Sequence, residues 1–131
     1  MDNFREGGRL STLFKRGKLR EAVALPVTEL STSGQELLKS LIQEASEKQV
    51  KLLYTLPWTL TRPDVAQAHR IANQMFLKAV GAYVPVVHDP YCGVHTDFEF
   101  FADTPNHLSD EGAYARTLAM KPSLIELLKN Q

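Results

Sequence analysis

Residues 33–57 read SGQELLKSLIQEASEKQVKLLYTLP, and this stretch decides the fold class. Its first part predicts a helix over 34–48, because five apolar residues share one helical face: Leu37, Leu38, Leu41, Ile42 and Ala45. Ser33 and Glu36 have capping-box spacing, which places the start of this helix at Ser33. The second part, Val50–Leu56, has the length and hydrophobicity of a strand covered on both faces. Residues 33–57 therefore predict a helix followed by a buried parallel strand.

A second helix and strand follow in the same order. Pro63 suits the first turn of a helix over 63–80, and Gly81 is placed to end it. Its predicted buried face consists of Val65, Ala68, His69, Ala72, Met75, Phe76 and Ala79. Val84–His88 is the next apolar run, and we expect it to lie parallel to Val50–Leu56. The residues expected to pack against both strands are Leu38, Leu41, Ala72 and Phe76. The predicted fold is therefore an α/β three-layer arrangement, a short, mostly parallel sheet with flanking helices.

The length of 131 residues suits one hydrophobic core. We expect residues 1–32 to be a weakly structured N-terminal segment, because Gly7, Gly8 and Gly17 interrupt the apolar pattern there. Residues 33–131 are then the α/β domain. Its last helix is expected to begin at Ser109, with a final amphipathic turn or two over 123–128.

Composition and charge exclude several classes of protein. Lys plus Arg and Asp plus Glu number 15 each, so no global field predicts nucleic acid or an anionic membrane as a partner. No apolar run is long enough to span a bilayer, and the first residues lack the apolar core of a signal peptide. Cys92 is the only cysteine, so no internal disulfide forms. We expect a cytoplasmic location for the chain as given, an expectation that lapses if it is part of a longer protein.

The stretch FADTPNHLSDEG, residues 101–112, contains the residues most suited to chemistry. It places Asp103 and His107 on a turn immediately before the last helix. A carboxylate that holds one ring nitrogen of a histidine fixes its tautomer and stabilises the imidazolium that forms when the other nitrogen takes a proton. Because Pro105 restricts Thr104 to extended conformations, we expect the chain to bend here and Asp103 to orient His107. An isolated Asp and His at this spacing also fits ordinary turn and surface residues.

The wider block resembles the final sequence block of SGNH (GDSL-type) hydrolases, in which an Asp and a His precede the last helix and His-Leu-Ser-x-x-Gly leads into it. The resemblance covers roughly residues 33–120, including the order of helices and strands, and it implies a flavodoxin-like or SGNH-like half. It implies that His107 is a general base and that Asp103 is its orienting partner. Three residues separate Asp103 from His107 here, whereas the family usually has two.

The nucleophile half of that family is missing from the sequence. No Gly-Asp-Ser block occurs, and Asn73 lies within a predicted helix, so it does not match the family's oxyanion Asn. A base without a nucleophile and an oxyanion hole does not catalyse acyl transfer at useful rates. The resemblance therefore implies an ester or acyl hydrolase acting on small esters or acylated carbohydrate, incomplete and inactive as this chain alone. The alternative is a non-catalytic α/β module that binds a ligand or a partner at the 89–108 loop. No cofactor is expected for either function.

Three further interpretations concern single residues or small groups. His88, Asp89, Cys92, His95 and Asp97 bunch within ten residues, and such side chains can bind zinc, but their spacing matches no standard finger, and no metal site is predicted. Trp58 follows a predicted strand end, where ligands bind in open α/β sheets, so it is a candidate substrate contact, although it also suits packing over a helix. His69 is expected to be a hydrogen-bonded core histidine.

Overall fold

The structure is a computed structural model that describes residues 19–130. The α-helices of this part are α1 (Thr32–Glu47), α2 (Ala66–Gly81) and α3 (Asp110–Lys129), and a 3-10 helix spans Phe98–Phe100. The strands are β1 (Thr59–Leu60) and β2 (Val94–His95), which pair in parallel with Thr59 opposite Val94. Residues 19–130 thus form a mixed α/β arrangement of three α-helices around a small parallel sheet. None of these helices is long and apolar enough to cross a membrane.

The two predicted strands are not formed, although their predicted parallel direction is confirmed. Val50–Leu56 and Val84–His88 meet only at one parallel bridge between Tyr54 and Val86. The Tyr54 N–H donates to the Pro85 carbonyl (3.0 Å), and the Val87 N–H donates to the Tyr54 carbonyl (2.8 Å). Pro85 has no N–H for a longer ladder, and Val50 is exposed, so the first segment is not covered on both faces.

Both early helices begin at residues other than those predicted. The N-cap of α1 is Ser31 and not Ser33, since the Ser31 hydroxyl accepts from the Gly34 N–H at 3.0 Å. Ser33 lies inside the helix. Pro63 lies in a turn that precedes α2 and not in the first turn of the helix, which begins at Ala66.

The buried face of α2 is set by its closeness to β2. The buried residues are Ala66, His69, Ala72 and Val80. Two residues of the predicted face, Ala68 and Met75, are exposed instead. His69 is buried, with Nε2 3.5 Å from the Val23 carbonyl, so the prediction of a core histidine is confirmed.

Helix α1 contributes no buried residue. Leu37 and Leu41 are exposed, so the expected packing of Leu41 against the strands is wrong. Two hydrogen bonds hold its first turn: Gln35 donates to the Leu30 carbonyl (3.0 Å), and the Tyr83 hydroxyl donates to Gln35 (3.1 Å). Leu38, Ile42 and Ala45 of the predicted apolar face are half-buried, so the rest of residues 19–130 covers this face only in part.

The core lies between β1 and the start of α3. Its buried members are Leu19, Trp58, Leu60 and Phe101. Residues 19–31 form no helix, yet Leu19 belongs to this core and Ala22 makes a parallel bridge with Thr61. The remainder of the predicted weakly structured segment, residues 1–18, lies outside the described residues. The separate final turn expected over 123–128 is wrong, since α3 continues through Pro122 to Lys129.

Candidate active site

The loop before α3 bends as predicted. Phe101 and Leu108 form an antiparallel bridge. Within the loop, the Ala102 N–H donates to the His107 carbonyl (2.8 Å), and the His107 N–H donates to the Thr104 carbonyl (3.2 Å). These bonds close a tight turn that brings the side chains of residues 103 and 107 to the same side.

Asp103 and His107 are hydrogen-bonded. His107 Nδ1 lies 2.5 Å from Asp103 Oδ1, and the side chains are 65% and 27% exposed for His107 and Asp103 respectively. An ionised carboxylate only accepts hydrogen bonds, so Nδ1 carries the proton whenever Asp103 is ionised. Nε2 is then the nitrogen left to accept a proton from a substrate or a nucleophile. The predicted orientation of His107 by Asp103 is confirmed, and their catalytic roles stay predictions.

The loop is anchored to the edge of β1. Thr59 donates its hydroxyl to Asn106 Oδ1 at 2.9 Å, and the Leu60 N–H donates to the Pro105 carbonyl at 2.7 Å. One contact lies on each side of the peptide bond between Pro105 and Asn106. The Asp103–His107 pair is therefore held on the sheet and not on a free surface loop, which limits its rotation relative to the core.

The Ser and Gly of the resembling block have structural roles of their own. Ser109 is buried, and its hydroxyl accepts from the Gly112 N–H (3.1 Å) and donates to the Glu99 carbonyl (2.6 Å). This confirms Ser109 as the N-cap of α3. A Cβ on Gly112 would lie 2.0 Å from the Phe100 carbonyl oxygen, so only glycine lets α3 begin against the 3-10 helix. These residues fix where His107 sits relative to α3 even if no chemistry occurs there.

Trp58 lies inside the core and not on an open surface. It is 1% exposed, and its indole N–H donates to Asp89 Oδ2 at 2.8 Å. The structure thus gives Trp58 a packing and hydrogen-bonding role. A contact between Trp58 and a substrate stays a prediction.

Sequence reasoning missed an aromatic cluster around His95. The centroid of its ring lies 3.7 Å from that of Trp58 and 4.4 Å from that of Tyr91. Burial lowers the pKa of His95, with Arg70 acting in the same direction, whereas Asp89 and Asp97 oppose the shift. The buried Nε2 has no hydrogen-bond partner among the described residues. No local pattern marks this cluster, because Trp58 and His95 meet only through the pairing of β1 with β2.

The histidines, acids and cysteine that bunch in the sequence do not converge in space. Within residues 19–130, no group of three or more His, Cys, Asp or Glu side chains is placed to hold a metal ion. Asp89 is engaged by Trp58 and by the backbone N–H groups of Tyr91 (3.0 Å) and Gly93 (2.8 Å). Its carboxylate therefore holds the 89–93 turn together.

No model of a protein family, no curated protein and no solved structure matches the chain. Among residues 19–130, no Ser, Thr or Cys side chain is hydrogen-bonded to His107, so this part of the chain contains an oriented base without an adjacent nucleophile.

Proposed function

We propose that the chain is the Asp/His portion of an SGNH-type acyl hydrolase that acts on small esters or acylated carbohydrate. The observation that carries the proposal is the bond between the Asp103 carboxylate and His107 Nδ1, which leaves Nε2 available as a base. On this proposal a further polypeptide segment, in the same chain or in a partner, supplies the nucleophile and the oxyanion hole. That segment would also complete a three-layer, flavodoxin-like sheet of which β1 and β2 are a part.

The chemistry assigned to each residue follows from this geometry. His107 Nε2 takes the proton of a serine hydroxyl as its oxygen attacks the ester carbonyl, and later gives that proton to the leaving alcohol. Asp103 stabilises the imidazolium that exists between these two steps. Backbone or Asn N–H groups of the supplied segment stabilise the oxyanion, a contribution of about 3 kcal/mol per donor in related chemistry.

Exposed apolar residues of α1 favour the proposal that a further polypeptide segment packs on this chain. A helix whose apolar stripe is covered only in part gains only part of the tertiary packing that normally supplies most helical stability. Leu37, 63% exposed, lies on that stripe one turn from Leu41. The same observation favours a second candidate function, a non-catalytic module that binds a partner through α1. The two candidates differ in whether His107 acts as a base.

The test is to isolate the tagged chain from its natural host and to treat it with a fluorophosphonate probe, which reacts with activated serines. We expect a labelled serine, in the same polypeptide or in one that copurifies, and loss of labelling in His107→Ala. The matched control is His88→Ala, because His88 is exposed and lies outside the 101–112 loop. Labelling that survives His107→Ala, or no labelled serine in the wild type, would contradict the hydrolase proposal and leave the binding module.

A complementary experiment uses the purified chain of residues 1–131. We expect no hydrolysis of a short-chain nitrophenyl ester beyond the rate of free imidazole, because no Ser, Thr or Cys among residues 19–130 is hydrogen-bonded to His107. Turnover that His107→Ala abolishes would show that the chain contains its own nucleophile.

A further inference from the structure

A cleft distinct from the Asp103–His107 loop lies between the second half of α2 and residues 84–92. Its volume is about 460 Å³, and its apolar walls are formed by Leu77, Val84, Pro85 and Val86. This volume lies within the range of about 300–1,000 Å³ that is typical of small-molecule sites. The cleft shares no residue with the 101–112 loop, so what it binds does not depend on the function proposed above.

One wall of the cleft is fixed by hydrogen bonds before any ligand arrives. The Cys92 backbone has a positive φ of 49° and is held at both ends, by its N–H donating to the Asp89 carbonyl (3.0 Å) and by Asn73 Nδ2 donating to its carbonyl (2.7 Å). The next residue, Gly93, has φ 72°, and a Cβ there would lie 2.7 Å from the Pro57 carbonyl oxygen. The His88 N–H donates to the Ser123 hydroxyl at 2.7 Å, which ties this wall to α3. A wall held in this way loses little conformational entropy when a ligand binds.

Within the described part of the chain, the cleft has one positive charge without an ion pair. Lys78 is exposed, lines the cleft and makes no ion pair with any of residues 19–130. Gln74 donates only a long bond to the Cys92 thiol, at 3.7 Å, so its amide has capacity for a ligand. The Asp89 carboxylate is occupied by its three donors. His88, also on the lining, adds an imidazole.

We propose that this cleft binds a small organic monocarboxylate with an aliphatic tail, of the size of octanoate. The carboxylate lies at the Lys78 ammonium and the Gln74 amide, and the tail lies along Leu77, Val84 and Val86. A single cation suits one negative charge, whereas a phosphate dianion is usually held by several cationic or N–H donors. The apolar walls supply the remaining affinity through removal of aliphatic surface from water.

The single cysteine of the chain makes occupancy of the cleft measurable. Cys92 lines the cleft and is the only cysteine of the chain, so its rate of alkylation by iodoacetamide reports whether the cleft is filled. We expect octanoate to slow alkylation with a saturable concentration dependence, and 1-octanol at equal concentration to protect much less. Lys78→Gln should raise the octanoate dissociation constant roughly fivefold, which is the largest change expected from the loss of one exposed ion pair. The matched control, Lys121→Gln, removes the same charge from an exposed position on α3 and should leave the constant unchanged.

A second variant tests the location of the tail. A Cβ on Gly81, which lines the cleft, meets its nearest neighbour, Val86 Cγ2, at an ordinary 3.6 Å, so Gly81→Leu should fill the cleft without disturbing the fold. We expect its alkylation rate to be independent of octanoate while its thermal midpoint stays within a few degrees of wild type. Three results would overturn the proposal. They are equal protection of Cys92 from alkylation by octanol and octanoate, full protection by octanoate in either Lys78→Gln or Gly81→Leu, and no protection in the wild type. If Gly81→Leu fails to fold, the comparison of Lys78→Gln with Lys121→Gln decides.

Discussion

The Asp89 carboxylate provides the sharpest test of how the interior is held together, through the substitution Asp89→Ala. Asp89 is buried and accepts three hydrogen bonds, from the indole N–H of Trp58 and from the backbone N–H groups of Tyr91 and Gly93. All three donors lose their partner in the alanine variant, while the positions of Trp58 and of the 89–93 turn depend on that partner.

The expected loss follows from the number of donors. Each buried donor left unpaired costs about 1–3 kcal/mol, so Asp89→Ala should lower the free energy of unfolding by at least about 3 kcal/mol. Asp89→Asn keeps the shape and one acceptor oxygen. If that oxygen takes the position of Oδ2, it still accepts from Trp58 and Gly93, and the new amide group opposes only the Tyr91 N–H. The asparagine variant should therefore lose about 1–2 kcal/mol, roughly one unpaired donor.

The assay is urea unfolding followed by the fluorescence of Trp58, the only tryptophan of the chain. Asp97→Ala is the matched control, because Asp97 is exposed and its carboxylate accepts from one backbone N–H, that of Glu99. A loss below about 1 kcal/mol in Asp89→Ala, or equal losses in the alanine and asparagine variants, would refute the reasoning that three donors depend on this carboxylate.

Two further predictions concern packing and pH. Gly112→Ala should lower the free energy of unfolding by about 3 kcal/mol or more, because its Cβ would lie 2.0 Å from the Phe100 carbonyl oxygen, whereas Gly81→Ala, with no close contact, should gain up to about 1 kcal/mol. Both are measured by urea unfolding. Burial lowers the pKa of His95 below its ordinary value of 6.5, so the unfolded chain binds this proton more readily than the folded one. The contribution of His95 to stability is therefore complete above pH 6.5 and is lost as the pH falls below it, and His95→Phe should reduce the fall measured between pH 7.5 and pH 5.

Each of these has a clear contrary result. Equal stability changes in Gly112→Ala and Gly81→Ala would mean that α3 can shift away from the 3-10 helix at little cost. An unchanged pH dependence in His95→Phe would mean that other groups, and not the buried imidazole, cause the loss at acid pH. His88→Phe is the control for the second experiment, since His88 is exposed.

The features that the sequence predicted correctly are local. Ser109 caps α3 through a contact three residues away, and Asp103 reaches His107 four residues along the same turn. Hydrogen bonds between residues this close in sequence form whatever the position of the rest of the chain. Ser31 shows the limit of this reasoning, because two serines near the helix start offer the same capping chemistry, and the backbone conformation, extended at Ser31, selects one of them.

The features that the sequence did not predict depend on contacts between distant residues. Strands of two residues have no period to recognise, so the pairing of Thr59 with Val94 leaves no pattern. The bond from Trp58 to Asp89 crosses 31 residues, so the sequence alone left core packing and a ligand cleft as alternatives for Trp58. Apolar runs favoured strands at Val50–Leu56 and Val84–His88, but exposure of the first and Pro85 in the second left a single bridge.

The tautomer of His107 tests the central claim most directly. Nitrogen-15 chemical shifts of the imidazole ring distinguish a proton on Nδ1 from one on Nε2, and they are measured at a pH where the ring is neutral. If Asp103 orients His107, the wild type carries the proton on Nδ1, and Asp103→Ala moves the population towards Nε2 while the shifts of His88 stay constant. A wild-type ring protonated on Nε2, or one unchanged by Asp103→Ala, would contradict the account, because His107 would then have no oriented nitrogen with which to act as a base.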